Sequence, residues 1–441
     1  MRIELNFIMN LEKLIGIFST FSKKNPIGAG SLIFLCKCLY KLSFLILILI
    51  VARLSKKEDF GDFQFSISLI NTFTQPFLAI PLIVTKYILS CSKNTQINLN
   101  LCSTYFYLKT KNLIFFTTSI ITILFILFNF NLISLIKIDF KYTFFFVGVI
   151  ISLSMILNYF LGFFQANERF DLYALPFFVM GICVIFSCLL FLFSKKIIPI
   201  AYSIQTSSFL IALFFSYFLF KKLIFKKDER LFKKLSHLVS APFIKYSLFL
   251  FLSMILFFFI QNMDIFLVKF YFNRSLAGTY ARYELFGKIV FTFSASLATV
   301  LFSKINKTSL SFYKSKALYL KSNLTLFIFS FLVSLSVFIF KGFLTHILYG
   351  TFLSNSILFL LILSAKTLQS FIFLSINCIA MEINYFLLIS LLTFASLQLI
   401  GIIKFHFDLI HIALVIFVIS LIFVAYIIIL FKYTFSKSKK S

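Results

Sequence analysis

Charge, proline and glycine are all scarce in this chain. Only 13% of its 441 residues are Asp, Glu, Lys or Arg, against about a quarter in a soluble globular protein, which excludes an ordinary water-soluble domain. Six prolines and twelve glycines are too few for the repeated hairpins of an outer-membrane barrel. The alternating segments of about ten residues that such a barrel needs are missing as well. Acidic residues number 14 against 42 basic ones, a net charge of +28. The basic residues nevertheless sit in short loops between apolar runs, where the positive-inside rule puts them, so no nucleic-acid partner is expected. Cysteine is odd in number at seven, and most of these residues (Cys36, Cys38, Cys183, Cys188, Cys378) lie inside apolar runs. They read as small hydrophobes rather than a disulfide framework. His237, His346, His406 and His411 have no metal-ligand spacing with Cys or acidic residues. Gly28 and Gly30 follow no strand, so no nucleotide loop is supported, and no ATPase motif occurs. No metal, no cofactor and no enzymatic chemistry are expected.

Apolar residues make up 61% of the chain, and they come in runs of about twenty, the length that spans a bilayer as a helix. Twelve spans are predicted, near 31–53, 62–85, 112–136, 142–164, 172–193, 197–220, 244–268, 279–302, 322–341, 355–380, 384–404 and 408–431. The first 26 residues are not a signal peptide, because charges interrupt them and no small-residue cleavage site follows. Phe7, Ile8, Leu11, Leu14, Ile15 and Phe18 instead form one face of an interfacial helix. With both termini cytoplasmic, 26 of the 42 Lys and Arg fall on cytoplasmic segments, 11 on external ones and five inside helices. The expected organisation is a cytoplasmic or interfacial N-terminal helix (1–26), an N-lobe (27–220), a basic cytoplasmic linker (221–243), a C-lobe (244–431) and a basic cytoplasmic tail (432–441).

The two halves resemble each other. A shift of 217 residues sets VARLSKKEDFGDFQF (51–65) on VKFYFNRSLAGTYAR (268–282), placing Val51 on Val268, Gly61 on Gly278 and Phe63 on Tyr280. The same shift puts Asn167 on Asn384. Each half holds an even number of spans, so both insert with the same sense. Two lobes related by an axis along the membrane normal, around a central cavity, are therefore expected.

The run LILIVARLSKKEDFGDFQFSISLI, through Ala52, Arg53, Leu54, Ser55, Asp59, Phe60 and Gly61, resembles the first and second helices of Wzx-like oligosaccharide flippases. These are polysaccharide transporters of the multidrug/oligosaccharidyl-lipid/polysaccharide (MOP) superfamily. QNMDIFLVKFYFNRSLAGTYARYELFGKIVFTFSASLATVLFSKI resembles the family's seventh and eighth helices, with Asp264, Leu267, Gly278, Tyr280 and Ala281 in place. FLGFFQANERFDLYAL, after span four, is a third match. Arg282 departs from the pattern, standing where a small or apolar residue is common. The resemblance covers essentially the whole chain. It implies an all-α polytopic, MATE-like fold of about twelve helices in the bacterial inner membrane. It further implies a flippase for polyprenyl-pyrophosphate-linked oligosaccharides, with membrane lipids, a glycan polymerase and glycosyltransferases as partners.

Polar residues inside the spans are the candidate site. A charge at a helix centre costs on the order of 2.5–3.5 kcal/mol on the insertion scale, so each needs a reason. Lys37 and Lys41 share one face of span one. Lys41 sits too deep to snorkel, and both a cavity-facing role and a buried ion pair stay open for it. Gln64, Ser68, Asn71 and Gln75 form a stripe on span two, just before Pro76; it either lines a lumen or makes ordinary interhelical hydrogen bonds. Asn71 maps onto Lys288 of span eight, which begins a stripe with Thr292, Ser296 and Thr299. Glu284, four residues before Lys288, partly neutralises it. Span ten adds Lys366, Gln369, Ser370 and Asn377. Lys41, Lys288 and Lys366 are thus expected to receive an anionic pyrophosphate as point charges. Asp264 is read either as a structural ion pair with Arg282 or as a coupling carboxylate.

Two rivals share the fold. A multidrug or cation antiporter should favour acidic and aromatic cavity residues. A lipid-linked peptidoglycan precursor flippase typically adds two C-terminal helices, whereas this chain ends after span twelve.

Overall fold

The computed structural model describes residues 26–95, 98–136, 140, 142–192, 196–225, 241–307, 312–379 and 385–437. The expected interfacial helix, most of the basic linker, Asn384 and the last residues of the tail lie outside this set, as do the side chains of Ser296, Thr299 and Asn377.

Among the described residues the chain is helical throughout, with no strand. Helices α1 (Pro26–Leu54) and α2 (Lys57–Thr74) are followed by a 3₁₀ turn at Gln75–Leu78 and then by α3 (Ala79–Thr95). Next come α4 (Leu99–Ile136), α5 (Thr143–Ala166), α6 (Phe170–Ser187) and α7 (Ile197–Leu223). The second half contributes α8 (Ala241–Tyr271), α9 (Arg274–Lys307), α10 (Phe312–Ile339), the short α11 (Lys341–Tyr349), α12 (Ser356–Ile379), α13 (Tyr385–Lys404) and α14 (Leu409–Lys437).

Local chemistry explains where several of these helices start. The first N–H groups of a helix lack intrahelical partners, and an Asn or Asp side chain just before the helix supplies one. Asn98 accepts from the Asn100 N–H at 3.0 Å, Asn273 from Leu276 at 2.9 Å and Asn355 from Leu358 at 3.0 Å. Asp408 does the same for the His411 N–H at 2.8 Å, and that bond holds its carboxyl below the ordinary carboxylate range. At the other end of α11, Gly350 adopts a left-handed φ of 67°, which a residue without Cβ enters at no steric cost.

Among the described residues eleven stretches are long and apolar enough to cross a membrane, and they coincide with eleven of the twelve predicted spans. The remaining prediction, 279–302, falls on α9. That helix is long enough at 34 residues; most side chains of its second half lie outside the described set, and its first half carries Arg282, Glu284 and Lys288 within two turns. Such a helix cannot face lipid on all sides, and α9 packs against α2, α10 and α12 instead. Span two is also more complex than its apolar run shows: one crossing stretch, Lys57–Leu89, contains both α2 and α3 and the 3₁₀ turn between them.

The structure divides into two compact units. Of the described residues, the first holds those up to Ile48, Phe77–Leu132 and Phe140–Ser247; the second holds Leu49–Pro76, 133–136 and those from Leu248 onward. Inside the first unit α3 packs on α5, α5 on α7 and α6 on α7. Inside the second, α9 packs on α12, α12 on α14 and α13 on α14. Under the 217-residue shift α5, α6 and α7 fall on α12, α13 and α14, and α3 falls on the second half of α9. The repeat in the sequence is therefore also a repeat in the packing. The one element that does not stay with its half is α2, which belongs to the second unit.

Candidate functional site

Four charged side chains meet inside the second unit. Lys366 of α12 is 1% exposed, and its ammonium donates to the Gln261 carbonyl of α8 at 2.6 Å. Two carboxylates flank it, Asp264 of α8 at 3.4 Å and Glu284 of α9 at 3.5 Å. Glu284 also lies 2.9 Å from Lys288, one turn along α9. Tyr280 donates its hydroxyl to Asp264 at 3.1 Å. From α2, Ser68 Oγ and Gln64 Oε1 accept from Lys288 at 2.7 and 3.3 Å. Gly287 makes room for this arrangement, because a Cβ there would come within 2.8 Å of the Lys366 stem.

The result is two ammonium groups and two carboxylates buried together, with no net formal charge. In such surroundings each charge is tolerable only while its partner is present. Several buried polar atoms stay without a hydrogen-bond partner here: Asp264 Oδ1, Gln64 Nε2 and both amide atoms of Gln369, while the Glu284 oxygens have only the two ammonium groups. Gln369 lies on α12 one turn beyond Lys366 and is itself buried.

Two sequence expectations are corrected by this geometry. Asp264 does not pair with Arg282: its ion-pair partner is Lys366, while the Arg282 guanidinium lies 4.8 Å from the ring centre of Tyr349 on α11. The Tyr349 hydroxyl donates to the Arg282 carbonyl at 3.0 Å. Lys288 and Lys366, expected together with Lys41 to receive a pyrophosphate, are instead paired with the carboxylates of Asp264 and Glu284. The stripe on span two divides too. Gln64 and Ser68 reach Lys288, whereas Asn71 and Gln75 are only half-buried, and no described side-chain contact joins them to the network.

Lys37 and Lys41 lie on α1 in the first unit. Both are half-buried. The Lys37 ammonium donates to the Tyr173 hydroxyl of α6 at 3.4 Å and stands 5.2 Å from the ring centres of both Tyr173 and Phe177. Two aromatic faces attract a cation through their quadrupoles without neutralising it. Among the described membrane spans of this unit the one carboxylate is Asp171, in the first turn of α6, and Arg169 binds it at 2.9 Å.

A third cluster was not visible in the sequence. Asp62 of α2 is buried against Lys269 of α8, and Arg274 of α9 reaches the same carboxylate at 2.8 Å and Asp59 at 3.4 Å. Nothing in one sequence links positions more than two hundred residues apart. The only signal was a group of charges next to the motif around Gly61.

No protein-family model and no curated protein sequence matches the chain. Solved structures do share its fold. The lipid II flippase MurJ in an inward closed conformation superposes with a TM-score of 0.64 at 16% identity, over 91% of this chain and 87% of that one. An outward-facing multidrug resistance MATE family transporter of the MOP superfamily gives 0.63 at 13%, over 96% and 98%. A eukaryotic MATE transporter gives 0.60 at 14%, over 93% and 96%. The chain is thus an all-α polytopic membrane protein of MATE-like fold. The likeness to Wzx-like polysaccharide transporters rests on the sequence motifs.

Proposed function

We propose that this protein is a transporter, not an enzyme, and that it flips a polyprenyl-pyrophosphate-linked oligosaccharide across a bacterial inner membrane by alternating access. Both termini are cytoplasmic in this reading, and glycosyltransferases and a glycan polymerase act before and after it. The observation that carries the proposal is the setting of Lys37: an ammonium in a membrane span, held by a hydroxyl and two aromatic rings. An ammonium held in this way offers a ready contact for a pyrophosphate, and Lys41 one turn along adds a second. A cation exporter would place a carboxylate there. The neutral network around Lys366 then holds helices in register and does not receive the anion, so the three-lysine site expected from sequence narrows to the α1 pair. The structural likeness to a protein described as a lipid II flippase adds support for a lipid-linked substrate.

A second reading, a cation-coupled antiporter of the same fold, draws on the buried Asp264 oxygen that has no hydrogen-bond partner. Binding separates the two readings. Protein in nanodiscs is titrated with a sugar-bearing polyprenyl pyrophosphate and with the uncharged polyprenol. The pyrophosphate should bind more tightly, Lys37→Ala should lose roughly tenfold in affinity, and Lys37→Arg should keep most of it. Lys404→Ala, which removes an exposed charge elsewhere, should bind as wild type. Equal binding of charged and uncharged lipids, or no loss in Lys37→Ala, would overturn the proposal.

A further inference from the structure

Helix α11 stands between two membrane crossings, one ending at Ile339 in α10 and the next beginning at Ser356 in α12. At 9 residues it measures about 13 Å along its axis, whereas a crossing needs about twenty residues. Both of its ends are pinned to the ends of crossings inside the second unit. At its start the Lys341 ammonium donates to the Ser356 hydroxyl. Towards its other end the His346 carbonyl accepts from Arg53 at 3.3 Å, and Arg53 is one residue short of the end of the α1 crossing. Gly350 closes on the same guanidinium, where a Cβ would lie 2.7 Å from the nearest nitrogen. A helix held at both ends at the level where crossings stop runs along the membrane surface.

Two opposite faces of α11 are apolar. On the inner face Leu348 and Tyr349 are buried, with the Tyr349 ring centre 6.1 Å from that of Phe60 and 6.2 Å from that of Phe286. The outer face presents Phe343 and Ile347, one turn apart and 66% and 52% exposed. Phe340 just before the helix and Phe352 just after it are exposed as well, and Phe352 stacks on His346 with ring centres 5.3 Å apart. A helix apolar on opposite sides is stable only where neither side meets water. The outer face continues into exposed apolar residues of the neighbouring crossings, Leu335 and Ile339 of α10 and Ile357 of α12. Those residues face lipid, so lipid is also the occupant that covers α11.

We infer that α11 is an interfacial helix. Its outer face is seated where headgroups meet acyl chains, and Lys341 and Arg53 stand at its two ends at the level of the lipid phosphates. The partner of this surface is the bilayer itself, in the outer leaflet if the termini are cytoplasmic as proposed above. The inner face then ties that leaflet to α9, through the Tyr349 hydroxyl that donates to the Arg282 carbonyl. The inference does not depend on what the protein transports.

Tryptophan fluorescence tests it. The chain contains no tryptophan, so a single introduced one reports on its own position. Phe343→Trp and, separately, Phe352→Trp are placed in proteoliposomes of phosphatidylcholine brominated either high or low on the acyl chains. Leu210→Trp, at an exposed position midway along α7, is the mid-bilayer reference. The two α11 reporters should lose most of their emission to bromines high on the chains and less to bromines low on them. Leu210→Trp should show the reverse order. Phe352→Trp keeps the test decisive if Phe343→Trp does not fold. Quenching of the α11 reporters by aqueous iodide and by neither lipid would place the face in water. Quenching by neither iodide nor lipid would place it against protein, and stronger quenching by the low bromines would place it in the hydrocarbon core. Each of these three results overturns the inference.

Discussion

At the scale of the residue, burial and pairing decide what a charge is for. Removing Lys366 leaves the buried Asp264 without an ion-pair partner and Glu284 with Lys288 alone. Breaking a buried pair in this way costs about 3–5 kcal/mol, so Lys366→Ala and Asp264→Ala should each markedly lower the unfolding temperature in detergent. Lys366→Met combined with Asp264→Leu removes one charge of each sign and should recover most of the loss. If the double variant is no more stable than either single one, the network is not held together by charge balance. Exchanging Asp264 and Arg282 should not restore stability, because the two do not touch. Lys37→Ala should change the unfolding temperature little, since its partners are aromatic rings and a hydroxyl that tolerate its absence. Much of this site was legible in the sequence as residue types: every lysine, acid and amide in it stood out as a polar group inside an apolar run. What the sequence did not contain was the pairing. Helical spacing linked Glu284 to Lys288, but the Lys366–Asp264 contact and the Asp62–Lys269 contact join distant helices, and periodicity carries no information across such a gap.

At the scale of the element, close helix approach rests on glycine. Gly278→Ala forces a Cβ into the Lys57 backbone and should cost about 1–3 kcal/mol by overpacking. Gly342→Ala in α11 meets only the Phe352 ring, at 3.9 Å, and should be neutral or slightly stabilising, because alanine restricts the unfolded chain more than glycine does. Thermal unfolding of the two variants side by side checks this, and equal behaviour would show that the α2–α9 crossing does not need its glycines. The spans themselves were legible to within a few residues for ten of the eleven crossing stretches, since hydropathy over twenty residues is a strong signal. Two features were not. The start of α4 at Leu99 precedes the predicted span by thirteen residues, because a helix can continue past the apolar part of its sequence. The assignment of α2 to the second unit was hidden because connectivity and packing disagree there, and the repeat register follows connectivity.

At the scale of the whole molecule, the chain is a membrane protein of MATE-like fold, and the proposed cargo is an anionic lipid-linked glycan. The proposed orientation, with both termini cytoplasmic, rests on the distribution of 42 basic residues, and single cysteines introduced into the 221–243 loop of a cysteine-free variant check it. In intact cells these should resist an impermeant external reagent; labelling there would reverse the topology. The network around Lys366 is a stability device, and it would serve any cargo. The claim that names the cargo rests on the α1 lysines and stands or falls on transport itself. The most direct measurement is transbilayer movement of a fluorescent, sugar-bearing polyprenyl pyrophosphate in proteoliposomes containing the purified protein. The account predicts movement that exceeds protein-free vesicles, is competed by unlabelled pyrophosphate lipid but not by polyprenol, and is lost in Lys37→Ala/Lys41→Ala while that variant remains folded. Movement that persists undiminished in the double variant, or no movement by the folded wild-type protein, would contradict it.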